Sequence, residues 1–197
     1  CIMRSSWEDT TGVFVGVKLG SPSVNHGHMD VGSFVLEADG VLWGMDLGAE
    51  NYNSLETKGV DLWNRKIGSQ RWDVYRYNNY VHNTLTFNRK YQYVEGRARI
   101  DRSSDREDHM FVVSDLTPVY KDQVKRVERA VSLVDKKYVV IEDCVETNEF
   151  FTMLTWTMAT PASAKVLADD VILLEKDGKK LYLKVEGVEN IRWRISP

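Results

Sequence analysis

Two of the four histidines in this 197-residue chain stand two apart, in Asn25-His26-Gly27-His28-Met29-Asp30. In an extended strand, residues i and i+2 project from the same side. The spacing therefore predicts both imidazoles on one face of a sheet. Imidazole is the commonest metal ligand, and it titrates near neutrality. Such a pair suits two metal ligands, or one ligand beside one catalytic group. Gly27 leaves room for a close approach of backbone or ligand. Asp30 continues the same face and could accept an imidazole N–H; capping a turn is the plainer role.

A third ligand is sought among the acids. Asp46 lies in Leu42-Trp43-Gly44-Met45-Asp46-Leu47, a run otherwise nearly all apolar. A carboxylate there is costly unless it is paired or metal-bound; an ion pair at a strand end is the ordinary alternative. His82 lies in Tyr80-Val81-His82-Asn83-Thr84-Leu85-Thr86 and shares a face with Tyr80, Thr84 and Thr86. Alone it reads as readily as a hydrogen-bonded core histidine. His109 follows Asp105-Arg106-Glu107-Asp108 and reads as surface. Two histidines and one aspartate from three strands match a zinc site of nitrogen and oxygen donors. The His-x-His of a cupin is followed four or five residues on by Glu. Here Gly32 and Ser33 stand there, which argues against that barrel. A zinc hydrolase would need an acidic general base beside an open metal position, and Asp30 is the one weak candidate.

The elements that must position these groups are nearly all strands. Alternating runs recur with turn signals between them. They span 11–18, 33–37, 41–47, 80–87, 94–101, 110–115, 124–134, 138–146, 150–157, 171–175, 180–185 and 191–195. Asp39-Gly40 and Asp177-Gly178 are hairpin signals. About a dozen strands and no long helix predict an all-β fold, a large antiparallel β-sandwich. Residues 51–72 form the one long irregular stretch, and 53–66 could be a flap over a ligand.

Composition supports one sheet-rich domain: 43% of residues are hydrophobic, 28% charged and 11% aromatic. A net charge of −3 gives no broad basic footprint for nucleic acid. No apolar run is long enough for a membrane helix, and no signal peptide is present. Cys1 reads as a boundary residue, with a lipid-modified terminus as the alternative; Cys144 reads as a buried core thiol. Arg97, Arg99, Arg102, Lys121, Lys125, Arg126 and Arg129 read as a solvated face, or as a grip on anionic groups. Trp63, Trp72, Tyr75, Tyr77 and Tyr80 read as core, or as a platform on which sugars stack.

Several separated motifs together resemble the heparinase II/III-like family of polysaccharide lyases. They are Met3-Arg4-Ser5, then His26 to Phe34, then Trp43-Gly44-Met45-Asp46-Leu47-Gly48, then Tyr52, then His82-Asn83-Thr84-Leu85. The later 126–134 and 138–143 pattern also resembles that family's sandwich strands. The resemblance implies the zinc-bearing β-sandwich of a lyase that cleaves uronate-containing acidic polysaccharide, of glycosaminoglycan or alginate type, by β-elimination. It also implies an N-terminal α/α toroid, absent from this chain, as the partner domain. The 197 residues then form a single sandwich domain, a fragment inactive alone.

Matched position by position, His28, Asp46 and His82 look like the family's zinc ligands, and His26 like the histidine that faces substrate. Asp30, Asn25, Tyr52 and Asn83 become candidates for supporting the site or touching substrate. The zinc would be mainly structural, and export to the periplasm or cell surface is implied by the family alone. One departure stands out: no histidine follows Trp156 in Thr157-Met158-Ala159-Thr160, where relatives often carry one. From another functional class, a non-catalytic carbohydrate-binding or scaffold sandwich that keeps a structural zinc is the alternative.

Overall fold

The computed structural model describes residues 1–148 and 151–196. In chain order the described strands are β1 (Ile2–Arg4), β2 (Phe14–Val17), β3 (Phe34–Ala38), β4 (Val41–Gly44), β5 (Leu85–Phe87), β6 (Arg102–Arg106), β7 (His109–Asp115), β8 (Arg126–Val134), β9 (Tyr138–Glu146), β10 (Leu154–Trp156), β11 (Ser163–Ala168), β12 (Val171–Lys176) and β13 (Lys179–Lys184). The one described α-helix is α1 (Tyr52–Thr57). Asn51 starts it, its side chain accepting the Ser54 N–H at 2.9 Å.

Every strand pairing is antiparallel. Strands β1-β2-β3-β4 form one meander, β6-β7-β8-β9 a second and β11-β12-β13 a third, while β5 pairs with β10. The β3–β4 turn is made by Asp39 and Gly40, both with positive φ (55° and 72°). That geometry matches the twist of a hairpin, as the Asp-Gly pair predicts.

One core unites the three meanders. Val15, Phe34 and Trp43 from the first meet Val131 and Leu133 from the second and Leu174 from the third. This is the layered all-β architecture expected from the alternation. Strand β8 shows the pattern best, with Val127, Arg129, Val131 and Leu133 all buried on one face. A second apolar cluster, including Val31, Leu85, Leu116 and Val127, lies beneath the histidine segments. A third joins Met29, Leu55, Leu62, Trp72 and Tyr77.

The structure corrects several boundaries. The segment 21–32 runs through turns and not through a strand. His82 precedes the strand expected to carry it, since β5 begins at Leu85. Strand β4 ends at Gly44, before Asp46. Residues 94–101 form no strand; a bridge between Gly20 and Ala98 is the pairing there. At Gly96 the chain passes so close to Pro118 that a Cβ would lie 2.3 Å from its carbonyl oxygen. Backbone crossing replaces ladder pairing. Residues 191–195 are likewise irregular, whereas β6 and β11 were not foreseen. The strand expected over 150–157 is β10, and Phe150 lies outside the described residues. Cys144 is exposed and not a core thiol, because in β9 it falls on the face opposite Ile141 and Val145. No described helix is long and apolar enough to cross a membrane.

Candidate metal centre and substrate face

The two neighbouring histidines part company. His26 is exposed and takes a left-handed backbone conformation, with φ of 57°. His28 is buried, 8% exposed. The cause is the turn between them. Gly27 N–H donates to the Val24 carbonyl at 2.9 Å, and the space beside its Cα is filled by backbone. A Cβ there would stand 2.4 Å from the Pro22 oxygen. The period-2 argument fails because the segment is not extended, and that failure sends one imidazole outward and the other inward.

Inside, His28 meets His82, their ring centroids 5.5 Å apart. Tyr77 packs on His28 at 4.6 Å. His28, Asp30 and His82 are all buried, and one ligand atom from each lies within 4.8 Å of the others. Asp46 approaches from the loop after β4. Its Oδ2 lies 2.8 Å from His82 Nδ1, and its Oδ1 accepts the Gly48 N–H at 2.7 Å. The structure therefore groups His28, Asp30 and His82, and joins Asp46 to them through His82.

Burial, first of all, pushes the His28 imidazole down to about 4, and the charges of His82, Lys18 and Arg71 act in the same direction. At neutral pH His28 is then a neutral ring with a lone pair to offer. The hydrogen bond to His82 is the main force holding the Asp46 carboxyl down to about 2. Asp30 moves the other way: burial raises it, against the nearby Lys18 ammonium that binds its Oδ2.

Two observations test whether these donors fit a cation. His82 Nε2 lies 3.1 Å from the Arg76 carbonyl, while Nδ1 faces the Asp46 carboxylate. A cation held between Nδ1 and the Asp46 carboxylate would take the place of the proton that now joins them, with Nε2–H left on the Arg76 carbonyl. Secondly, Asp30 Oδ1 is buried with no hydrogen-bond partner among the described residues. An orphaned acceptor next to two imidazoles invites a positive charge. The donor set of imidazoles and carboxylates fits Zn²⁺.

His26 stands outside this cluster. Its Nδ1 lies 3.0 Å from the Tyr52 hydroxyl, and the two rings are parallel with centroids 5.6 Å apart. Asn25 is exposed beside it. Asn83 is only 1% exposed. Its amide donates to the Phe34 and Met45 carbonyls and accepts the Ala159 N–H, so it ties segments together beneath the site.

A profile of heparinase II/III-like C-terminal regions matches residues 3–195. The chain belongs to that family. Solved structures agree in fold. The domain superposes on the heparan sulfate lyase HepC from Pedobacter heparinus with a TM-score of 0.71 and 18% identity, over 96% of this chain and 28% of that one. It matches a heparinase III solved with methylated lysines at TM-score 0.71 and 22% identity, over 95% and 27%. A second heparinase III structure gives 0.69 and 21%, over 95% and 27%. The domain thus spans under a third of each of those proteins. No curated protein sequence matches it.

Three residues of the domain's site went unrecognised in the sequence. Arg129 is 2% exposed and not part of a solvated face. Its Nε and Nη2 grip Asp143 at 2.7 and 2.8 Å, and its Nη1 donates to the carbonyls of Gly32 and Asn83. It thereby joins the chain just after Asp30 to the chain just after His82. Its place between Val127 and Val131 in a strand of period two was the available signal. Arg71, 1% exposed, donates to the Gly27 carbonyl at 2.7 Å and the Leu62 carbonyl at 3.0 Å. Lys18 supplies the partner of Asp30. Neither of these carries a local sequence signal. Of the aromatic set, Trp72 and Tyr77 are core residues, while Trp63, Tyr75 and Tyr80 are exposed.

Proposed function

We propose that the domain is the metal-bearing, substrate-facing half of a polysaccharide lyase that cleaves uronate-containing acidic polysaccharide by β-elimination. The observation that carries this reading is the split histidine pair: an exposed His26 two residues before His28, which belongs to a buried cluster of imidazoles and carboxylates. Family membership and the lyase names borne by the similar structures support it. A net charge of −3 means that local groups, not global charge, would hold a polyanion.

In β-elimination the C5–H and C4–O bonds break, a C4=C5 double bond forms, and no water is added. The C5 proton becomes acidic enough only when the neighbouring carboxylate is neutralised. His26 is suited to that task, since it is exposed and its Nδ1 is oriented by the Tyr52 hydroxyl. The proton acceptor at C5 and the proton donor to the C4 oxygen are assigned, on this reading, to a preceding helical domain.

His28, His82 and Asp46 would hold the zinc, with Asp30 the competing carboxylate. When bound, zinc supplies a fixed positive charge and a cross-link between three chain segments. His28 and His82 hold their segments against one another; Gly27 hands that order on to His26. Export to the periplasm or cell surface accompanies this reading.

The test uses the full-length protein. Incubation with heparin, heparan sulfate, hyaluronan and alginate is expected to raise the ultraviolet absorbance of an unsaturated uronate with at least one of them. His26→Ala abolishes the signal while leaving zinc bound. No absorbance change with any of the four polymers would refute the lyase reading.

A further inference from the structure

We infer that Trp63, with Tyr52 and His26, forms a stacking subsite for one pyranose ring of the polysaccharide, next to the sugar that is cleaved. This rests on the reading of His26 as the substrate-facing histidine. The three rings form a closed triangle. Trp63 lies 5.6 Å from His26 and 5.4 Å from Tyr52, both at 85°, and His26 lies 5.6 Å from Tyr52. Trp63 nevertheless leaves 52% of its surface to solvent.

The exposure is not that of a loose loop. The indole N–H donates to Glu56 Oε1 on α1 at 2.7 Å, which fixes the ring's polar edge. Leu62, the preceding residue, is 1% exposed and packs in the cluster with Met29 and Tyr77. The buried Arg71 then bonds the Leu62 carbonyl with one nitrogen and the Gly27 carbonyl with another. One guanidinium thus spaces the residue before Trp63 against the residue after His26. Arg65 adds a second tie, donating to the Ser23 carbonyl at 3.0 Å.

A rigid, half-open indole with its N–H already satisfied presents an apolar, electron-rich face. The C–H faces of a pyranose carry the weakly positive hydrogens that such a face attracts. Rigid aromatics bind with little loss of side-chain freedom. The adjoining Tyr52 hydroxyl and Glu56 carboxylate form the polar rim that sugar hydroxyls need. The occupant is therefore a sugar ring of the same chain whose uronate reaches His26.

The test compares full-length wild type with Trp63→Ala and Trp63→Phe on whichever of heparin, heparan sulfate, hyaluronan or alginate the enzyme degrades. Loss of the indole is expected to raise KM about tenfold, with the loss falling on KM rather than kcat, and Phe to restore most of the affinity. Unchanged KM would overturn the subsite. So would a loss of thermal stability with KM intact, which would mark Trp63 as a contact between domains. Were the wild type to degrade none of the polymers, the lyase reading would fail separately. Affinity electrophoresis in gels containing each polymer then decides the subsite alone. Retardation of wild type but not of Trp63→Ala supports it, and no retardation of wild type, or equal retardation of both, overturns it.

Discussion

Replacing Arg129 by Met tests whether the second sheet and the histidine segments are held as one body. The wild-type guanidinium makes four hydrogen bonds: two to Asp143 at 2.7 and 2.8 Å, one to Gly32 at 2.7 Å and one to Asn83 at 3.1 Å. Side-chain exposure is 2% for Arg129 and 13% for Asp143. Methionine fills much of the volume but leaves the Asp143 carboxylate without its cation. Breaking such a buried pair from one side costs about 3–5 kcal/mol. The two orphaned carbonyls alone would cost about 1–3 kcal/mol each, but relaxation overlaps these losses, so about 4 kcal/mol is expected in total. With a urea slope of about 2 kcal/mol/M, the unfolding midpoint falls by about 2 M. The double variant Arg129→Met/Asp143→Leu removes both charges and is expected to recover roughly half of the loss. A shift under about 0.5 M for the single variant, or a double variant no better than the single, would refute the clamp.

Three further outcomes are expected. Gly27→Ala drives a methyl into the Pro22 and Val24 carbonyls, at 2.4 and 2.9 Å, and is expected to destabilise by about 1–3 kcal/mol in thermal melts; a neutral result would mean the turn is not fixed. In chelator-treated protein, acidification costs stability as pH falls from 6.5 to about 4, because the unfolded chain protonates His28 first; the bound is about 3 kcal/mol. Asp46 extends that loss from 3.8 down to about 2, while the raised Asp30 opposes it. His28→Gln should flatten the upper part of the curve, and an unchanged slope would discard the burial argument. Zinc analysis separates the two carboxylates: about one zinc per chain is expected in the parent, little in Asp46→Asn, and a retained but weaker site in Asp30→Asn. The reverse order would make Asp30 the ligand.

Strand alternation made the sandwich legible, because burial on one face writes a period of two into the long strands β8 and β9. The four groups of the centre were legible by residue type and motif. Their arrangement was not. His26 and His28 diverge through a turn whose tightness depends on Pro22 and Val24, and no alternation rule anticipates a left-handed histidine. Arg71 and Lys18 act on carbonyls and carboxylates distant in the chain, as when Arg71 reaches Gly27 across 44 positions. Such partners leave no mark in local spacing. Arg129 sat in plain view in its strand, but the acids interspersed among the basic residues, Glu128 beside it, made it look like surface.

Arg71 has one more property. Its neighbours are two carbonyls and the rings of Tyr77 and Trp72, and among the described residues no carboxylate pairs with it. An arginine does not lose its proton in any ordinary medium. The turn between His26 and His28 is therefore bonded at Gly27 to a permanent positive charge, shielded from salt by burial. Histidine charge comes and goes with pH, but this background does not. On the lyase reading, an anionic sugar approaching His26 would meet the same contribution from Arg71 in acid and in alkali. Any pH response of binding should then come from the titrating groups around it, Asp30 and the imidazoles among them, and not from Arg71.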